Sequence, residues 1–422
     1  MQIDANTYRG LVVIIPTRNR ANLAAKAISS ILNQPECDDV HILVSDNSTE
    51  DNDIKVASHF CEQKKDKRLR YIKTPKPLSM ASHWNWATTK ALELYDANHF
   101  LILTDRSLFK KNDLTLLKCK ASQYPEEVIS YNWDVIFDHK KPISLLENIW
   151  SGRLFKISSL RLLTLSSQCV IHPSLPRMMT SIVPRFVLEK LRNTWGSYFD
   201  SIAPDYNFAY RCLAILDSIL YFDKAPILMY GIDQSNGSAF FRGLATKTTN
   251  DFTTSNIQSN HLFYLSPVPE FRTCSNAIIH EYNFVRKESK NSNFTEVNWN
   301  KYLDVIASDI SYFEDDQLKA EMTTLLKSHG WKESPTPITV LIHRIASNIR
   351  KKLNLNLRGK IKKVVLLLKD QDDILFSPAK STKPLFDSLE EAIEYMNRSL
   401  EQKNTDKDRL NHLIESLGPI ID

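Results

Sequence analysis

Short apolar runs, each ending abruptly in a polar cluster, constrain this chain more than any other feature. Leu11 to Ile15 is rich in β-branched residues and is closed by Pro16, the pattern of a strand buried on both faces. Val40 to Val44 stops at Ser45-Asp46-Asn47-Ser48, and His99 to Leu103 stops at Thr104-Asp105-Arg106-Ser107. Arg70-Tyr71-Ile72 is a further short strand candidate. Between these runs the apolar spacing turns helical. Leu23, Ala24, Ala27, Ile28, Ile31 and Leu32 share one face, with Asn19 or Asn22 as N-cap, and a second helix is expected from the cap Ser79 to about Leu94 through Trp84, Ala87 and Ala91. Strands alternating with helices predict an α/β fold with a mostly parallel mixed sheet covered on both faces. In open sheets of this kind ligands bind beyond the carboxyl ends of the strands, where the polar clusters fall.

Glycine scarcity narrows the ligand. The chain has 9 glycines in 422 residues, and neither G-x-x-x-x-G-K-[ST] nor G-x-G-x-x-G occurs. Those loops need glycine so that backbone can approach phosphate without a Cβ in the way, so P-loop enzymes and dinucleotide-binding dehydrogenases are excluded. A balance of 54 Lys+Arg against 49 Asp+Glu argues against a dedicated nucleic-acid partner. The cysteines are scattered and never form C-x-x-C, which gives neither zinc spacing nor a dense disulfide framework and suits a reducing compartment. No signal peptide precedes Leu11 and no window has the ~18 uninterrupted apolar residues of a spanning helix, so the expected location is cytoplasmic.

Single hydrophobic cores stop growing at roughly 250 to 300 residues, so two regions are expected. The first is a catalytic domain over 1–245 and the second a mainly α-helical region over 246–422. In the first, Pro204-Asp205 opens a helix expected to run from Tyr206 to Leu220, and Ile227-Leu228-Met229 is a strand followed by the polar loop Tyr230 to Gly237. In the second, Ser388 and Glu391 form a capping box ahead of Leu389, Ala392, Ile393, Met396 and Leu400, and a last helix carrying Leu410, Leu413, Ile414 and Leu417 ends at Gly418-Pro419. The stretch 341–369 holds nine Lys and Arg and no acid, interleaved with Ile and Leu. Such a basic amphipathic segment suits an anionic membrane surface, at about 1 kcal/mol per basic side chain, or a solvated helix face packed on the first domain.

The ordered set Leu11 to Arg20, Val44-Ser45-Asp46-Asn47-Ser48, Leu103-Thr104-Asp105-Arg106 and Pro204-Asp205-Tyr206-Asn207-Phe208-Ala209-Tyr210-Arg211 resembles glycosyltransferase family 2 with the GT-A nucleotide-sugar-binding fold, over roughly residues 10 to 240. The resemblance implies an inverting transferase that moves a sugar from a nucleoside diphosphate to an acceptor hydroxyl, in surface polysaccharide or lipid-linked glycan synthesis. It implies donor-nucleotide contacts from Pro16, Thr17, Arg18, Arg20, Asp46, Asn85, Asp105 and Arg106, and a catalytic base at Asp205. The Tyr230 to Gly237 loop either closes over the diphosphate, as mobile loops do in transferases, or is an ordinary surface turn.

In the family a DXD segment follows the fourth strand and binds Mn²⁺ or Mg²⁺. Here Asp105 matches the middle acid, while Arg106 stands where the metal-binding Asp is expected. A guanidinium is permanently charged and can grip phosphate oxygens in pairs, so reduced or absent metal dependence is expected, with Arg106 facing the diphosphate. Alternatively, Asp105 and Ser107 hold a metal through water. His172, His261 and His280 have no ligand spacing, and His172 reads as structural. Two other functions remain open: a non-catalytic GT-A-like nucleotide-sugar-binding protein, and a sugar nucleotidyltransferase, although the latter normally needs a Gly-rich loop that Pro16 to Arg20 lacks.

Overall fold

The computed structural model of the chain describes residues 10–148, 150–244, 250, 254, 265–332, 381–382, 384–398 and 420–421. The basic segment 341–369, the helix ending at Gly418-Pro419 and His261 lie outside the described residues.

The alternating apolar runs become β1 (Leu11–Thr17), β2 (Val40–Asp46), β3 (Leu69–Lys73) and β4 (His99–Ile102). They lie side by side in the order β3-β2-β1-β4 and all pair parallel. The pleat of β1 explains why five apolar residues in succession are needed there: Val12 and Ile14 enter the core on one face of the sheet, and Leu11, Val13 and Ile15 the core on the other. Helix α1 (Ala21–Leu32) covers the second face with Ala27, Ile28 and Ile31. On the first face α3 (Met80–Leu94) buries Trp84, Ala87 and Ala91, and its cap Ser79 accepts from the Ser82 amide as expected. Helix α2 (Asp51–Lys64) lies between β2 and β3 in the chain.

Beyond β4 the sheet changes character. Next come β5 (Ser107–Phe109), α4 (Asp113–Gln123), β6 (Ile129–Phe137), β7 (Ile143–Asn148), β8 (Leu154–Ser158), α5 (Ser159–Ser167), β9 (Ser181–Pro184) and α6 (Arg185–Trp195). After α7 (Pro204–Ile215) comes the long β10 (Ser218–Met229). Strand β9 pairs antiparallel with both β4 and β6, and β10 runs parallel to β6 but antiparallel to β5 and β8. The result is a mixed, twelve-stranded sheet whose parallel character is concentrated in its first four strands. It has the α/β architecture expected of a GT-A fold, with helices beyond it.

Two local expectations are corrected. Helix α7 stops at Ile215, not Leu220, and Ile219 and Leu220 belong to β10. Leu216 already has extended backbone, and the run Ile219-Leu220-Tyr221-Phe222 gains two strand partners, β6 and β8, which outweigh continued helical spacing. Helix α1 begins at Ala21 with Arg20 at its cap position, so neither Asn19 nor Asn22 caps it; the Asp53 carboxylate takes the Ala21 amide instead.

The C-terminal region is helical where it is described. Helix α8 (Asn236–Phe241) leads into it, and α9 (Cys274–Ser289) packs Ile278, Tyr282, Phe284 and Val285 into the same core as α3, α6 and α7. Helices α10 (Trp299–Ser311) and α11 (Asp316–Ser328) build a separate small core with Val268 and Phe271. Strands β11 (Ser381–Thr382) and β12 (Leu385–Phe386) extend β7, and α12 (Leu389–Arg398) follows its capping box: Ser388 Oγ accepts the Glu391 amide, and Glu391 takes the Asp387 amide. Among the described residues no helix is long and apolar enough to cross a membrane.

Candidate functional site

Parallel pairing places the expected polar residues at one edge. Thr17 ends β1 in register with Asp46, which ends β2. The Thr17 hydroxyl donates to Asp105 Oδ2 at 3.0 Å, across from the turn after β4. Arg20 Nη1 donates to Asp105 Oδ1 at 3.3 Å, so both oxygens of this carboxylate are engaged by the β1 loop. Asp46, Thr17 and Asp105, far apart in the chain, thus converge at the tips of three adjacent strands. All three are buried.

The loop between β1 and α1 is fastened to the loop after β2. Asn19 has a left-handed backbone, φ 54°, which turns its side chain to accept from the Thr49 and Glu50 amides, while its own amide donates to Ser48 Oγ. Asp46 accepts the Ser48 amide and the Tyr71 hydroxyl, each at 2.7 Å. Asn47 bonds the amide and carbonyl of Leu78, and Arg18 also donates to that carbonyl at 3.3 Å. Below Asp46, Ser45 meets His83, whose burial pushes the imidazole down to about 4 and keeps it neutral. Arg18 and Asn47 thus fasten the segments that follow β1 and β2 to Leu78, and Asp46 between them in the chain is fully buried.

Arg106 is tied to the segment after β10. Its Nη1 donates to the Tyr230 carbonyl at 3.0 Å, the two backbones pair, and its stem lies under Gly231. Asp138 accepts the Gly231 and Ile232 amides. Burial lowers the Arg106 pKa, with Asp105 opposing. The expected polar loop is thus ordered here as a turn over Ile232–Gln234 leading into α8, and Arg106 anchors its start. Asn85 is engaged elsewhere: its Oδ1 accepts the Tyr198 and Phe199 amides and its Nδ2 donates to the Phe199 carbonyl. This occupies the amide with the chain that leads toward Asp205.

The groups around Asp105 are already engaged with one another. Both Asp105 oxygens are bonded, the next side chain is a cation, and Asp138 is occupied by two amides. Among the described residues no group of three His, Cys, Asp or Glu side chains is placed to hold a metal.

Asp205 occupies the first turn of α7, just after Pro204, whose fixed φ suits the first helical position. Burial raises its pKa, while Arg177 and the main-chain amides at the helix start pull it down. Arg177 Nη1 lies 3.7 Å from Asp205 Oδ2 and donates to the Tyr206 hydroxyl at 3.2 Å. The guanidinium is held between two rings, 4.4 Å from the Trp133 centroid and 5.1 Å from that of Tyr206. Asp205 does not touch Asp105. The connection runs through β6, which carries Trp133, and through the segment after β10, whose start is held by Arg106 and whose Gly237 carbonyl accepts from Cys274 Sγ. The charge of Asp205 contributes to raising the Cys274 thiol, which places the two groups near each other.

Sequence reasoning missed Arg177, Trp133 and Asp138. Only the neighbouring Pro173 and Pro176 signalled that Arg177 sits on a rigid connection. His172 is structural, as expected: it is buried, bonded to Ser174 and edge-on to Tyr221.

The fold is that of an α/β protein with a buried polar cluster, Thr17, Asp46 and Asp105, at the carboxyl edge of its parallel strands. Residues 12–180 match the family model described as Glycosyl transferase family 2, a span that includes Thr17, Asp46, Asp105 and Arg177 and ends before Asp205. Similar solved structures include S. aureus TarS residues 1–349 in complex with UDP-GlcNAc, at 13% identity and TM-score 0.43, covering 74% of this chain and 83% of that one. Another is the mannosyltransferase PcManGT from Pyrobaculum calidifontis in complex with GDP-Man and Mn²⁺, at 15% identity and TM-score 0.39, covering 78% and 83%. No residue role is carried across these distant likenesses.

Proposed function

We propose that the chain is an inverting glycosyltransferase that moves a sugar from a nucleoside-diphosphate donor to an acceptor hydroxyl, with Asp205 as general base. The observation that carries this reading is the convergence of Asp46, Thr17 and Asp105 on adjacent strand tips inside the span matched by the family model.

In this reading the nucleobase binds at Pro16, Arg18 and Asp46. Carboxylate oxygens have about four lone-pair sites between them, so Asp46 retains capacity beyond its two bonds. Asp105 faces the ribose and diphosphate, and Arg20 and Arg106 supply positive charge where the leaving diphosphate gains negative charge. Asp205 removes the acceptor proton during a single in-line displacement, from the side opposite the diphosphate. Because the donor set around Asp105 is a poor metal cage, these arginines replace a divalent ion. Asn85 acts through the backbone it holds rather than on the donor. The acceptor belongs to a surface polysaccharide or a lipid-linked glycan, and the basic segment 341–369 would bring the protein to an anionic inner membrane face.

The test is a thermal-shift screen of nucleoside diphosphates and their sugars, followed by turnover with and without Asp205→Asn. A ligand that binds only the folded state raises the melting temperature. Nucleotide binding with turnover that vanishes in the variant supports the proposal. Binding without turnover in the wild type would turn the reading to a non-catalytic nucleotide-sugar-binding protein, and release of pyrophosphate would indicate a nucleotidyltransferase.

A further inference from the structure

The helix that carries Asp205 is held at its entrance by a side chain from the C-terminal region. Glu281 on α9 is fully buried, far beyond the span of the family match. Its Oε1 accepts the Ile202 amide at 3.0 Å and the Ala203 amide at 2.7 Å, and its Oε2 accepts from Asn207 Nδ2 on α7 at 3.0 Å. One residue earlier on α9, His280 Nε2 meets Ser201 Oγ at 2.5 Å. Ser201 has a left-handed backbone, φ 64°, a conformation that a non-glycine residue keeps only where its surroundings hold it. Further along the same helix pair, the buried Arg211 donates to Glu288 at 3.2 Å, and Tyr210 and Tyr282 meet edge to face.

These contacts fall on the three residues that precede Pro204-Asp205. Ala203, at the cap position of α7, has no side chain with which to cap the helix, and no local side chain caps it. An ordinary helix start fixes itself through a Ser, Thr, Asp or Asn at that position. Here the fixing group is supplied from a distant helix. A carboxyl group that fastens two consecutive amides and a side chain of the following turn sets both the position and the direction in which α7 begins. A base for in-line displacement needs just that control, since a misplacement of about 1 Å can cost about 100-fold in rate.

Resting on the transferase reading, we propose that Glu281 is the positioning residue for Asp205, and that the C-terminal helical region is therefore a working part of the transfer site and not an appendage to it. Glu281 touches neither donor nor acceptor. It acts through the Ser201 to Ala203 backbone.

The experiment compares Glu281→Leu, Glu281→Asp and Glu281→Gln in the full chain. Leucine keeps the volume and removes the acceptors, and aspartate keeps a carboxylate but is one methylene too short to reach both amides. Glutamine keeps an acceptor oxygen for the two amides and lets Asn207 turn its carbonyl toward the new NH₂ group. The expected result is a fall in kcat of about 100-fold for leucine and about tenfold for aspartate, and near-recovery for glutamine, with donor KM within about threefold throughout. Amide hydrogen exchange should speed up at 201–206 in the leucine and aspartate variants and stay unchanged at 11–17 and 40–46. Either variant that folds, binds donor and keeps kcat within about threefold overturns the inference. So does parallel loss of donor binding and turnover, which would mark Glu281 as a general support of the fold. If the wild type transfers no sugar, the transferase reading fails, and hydrogen exchange still decides the positioning claim: unchanged exchange at 201–206 overturns it.

Discussion

Replacing Arg177 with methionine should move the acidic limb of the pH–rate profile to higher pH. Arg177 Nη1 is 3.7 Å from Asp205 Oδ2, and both side chains are largely buried, 8% and 14% exposed. Two unit charges near this distance attract by about 4 kcal/mol at an effective dielectric of about 20 and about 1 kcal/mol in water. With 1.36 kcal/mol per pKa unit, and the range of about 1 to 3 units typical of a carboxylate beside an arginine, removing the charge should raise the Asp205 pKa by about 1 to 3 units. The sign is fixed by the opposing causes: burial pushes this carboxyl up while Arg177 and the main-chain amides pull it down, so removing Arg177 leaves only the amides against burial. Methionine keeps an apolar stem between Trp133 and Tyr206, which limits the packing change. The assay is kcat/KM against pH, which reports the free enzyme. Activity at pH values below the wild-type limb should fall by about 10- to 1000-fold and recover as the pH is raised. An acidic limb that stays in place, or moves down, refutes the account of Arg177 as the group that keeps the base ionised.

Asp205→Asn should lower turnover by about 100- to 10,000-fold, the usual contribution of a general base, with donor affinity within about threefold by calorimetry. Asp105→Asn should weaken nucleoside diphosphate binding by about tenfold, because it breaks a charge-assisted network with Arg20 and Thr17. Excess EDTA should leave donor binding and turnover within about twofold; strict recovery by Mn²⁺ or Mg²⁺ would contradict the role given to Arg20 and Arg106. Burial pushes the Glu281 carboxyl up to about 8, against its hydrogen bonds. Its folded pKa thus lies above the unfolded value of about 4.3, so its contribution to stability is present below about pH 4.3 and lost as the pH rises through 8. Denaturant titrations between pH 5 and 8 should show a falling stability that is flatter in Glu281→Gln.

The parallel half of the sheet was legible because most of its strands are mainly apolar runs bounded by a polar stop, as in Leu11 to Ile15. The convergence of Asp46 and Asp105 was legible for the same reason: they follow strands whose pairing brings their ends together. Ile219 and Leu220 were placed in the helix because apolar residues at 215, 216 and 219 also fit a helix, and only pairing with β6 and β8 decides between the two. Asn85 was read as a donor contact from its place in the chain, whereas its amide is taken up by the backbone of Tyr198 and Phe199. Arg177 and Glu281 escaped because no spacing links them to Asp205. Arg177 meets it through aromatic stacking between separate strands and helices, and Glu281 through the packing of α9 on α7, long-range contacts that periodicity does not encode.

The central claim is that one cleft holds the nucleotide at Asp46 and Asp105 and presents the sugar to Asp205. A crystal structure with a bound, non-hydrolysable nucleoside diphosphate sugar tests it most directly. The account predicts the base beside Asp46, the diphosphate between Asp105, Arg20 and Arg106, and the anomeric carbon open to Asp205 on the face opposite the diphosphate. A nucleotide bound elsewhere, or an anomeric carbon turned away from Asp205, would contradict it.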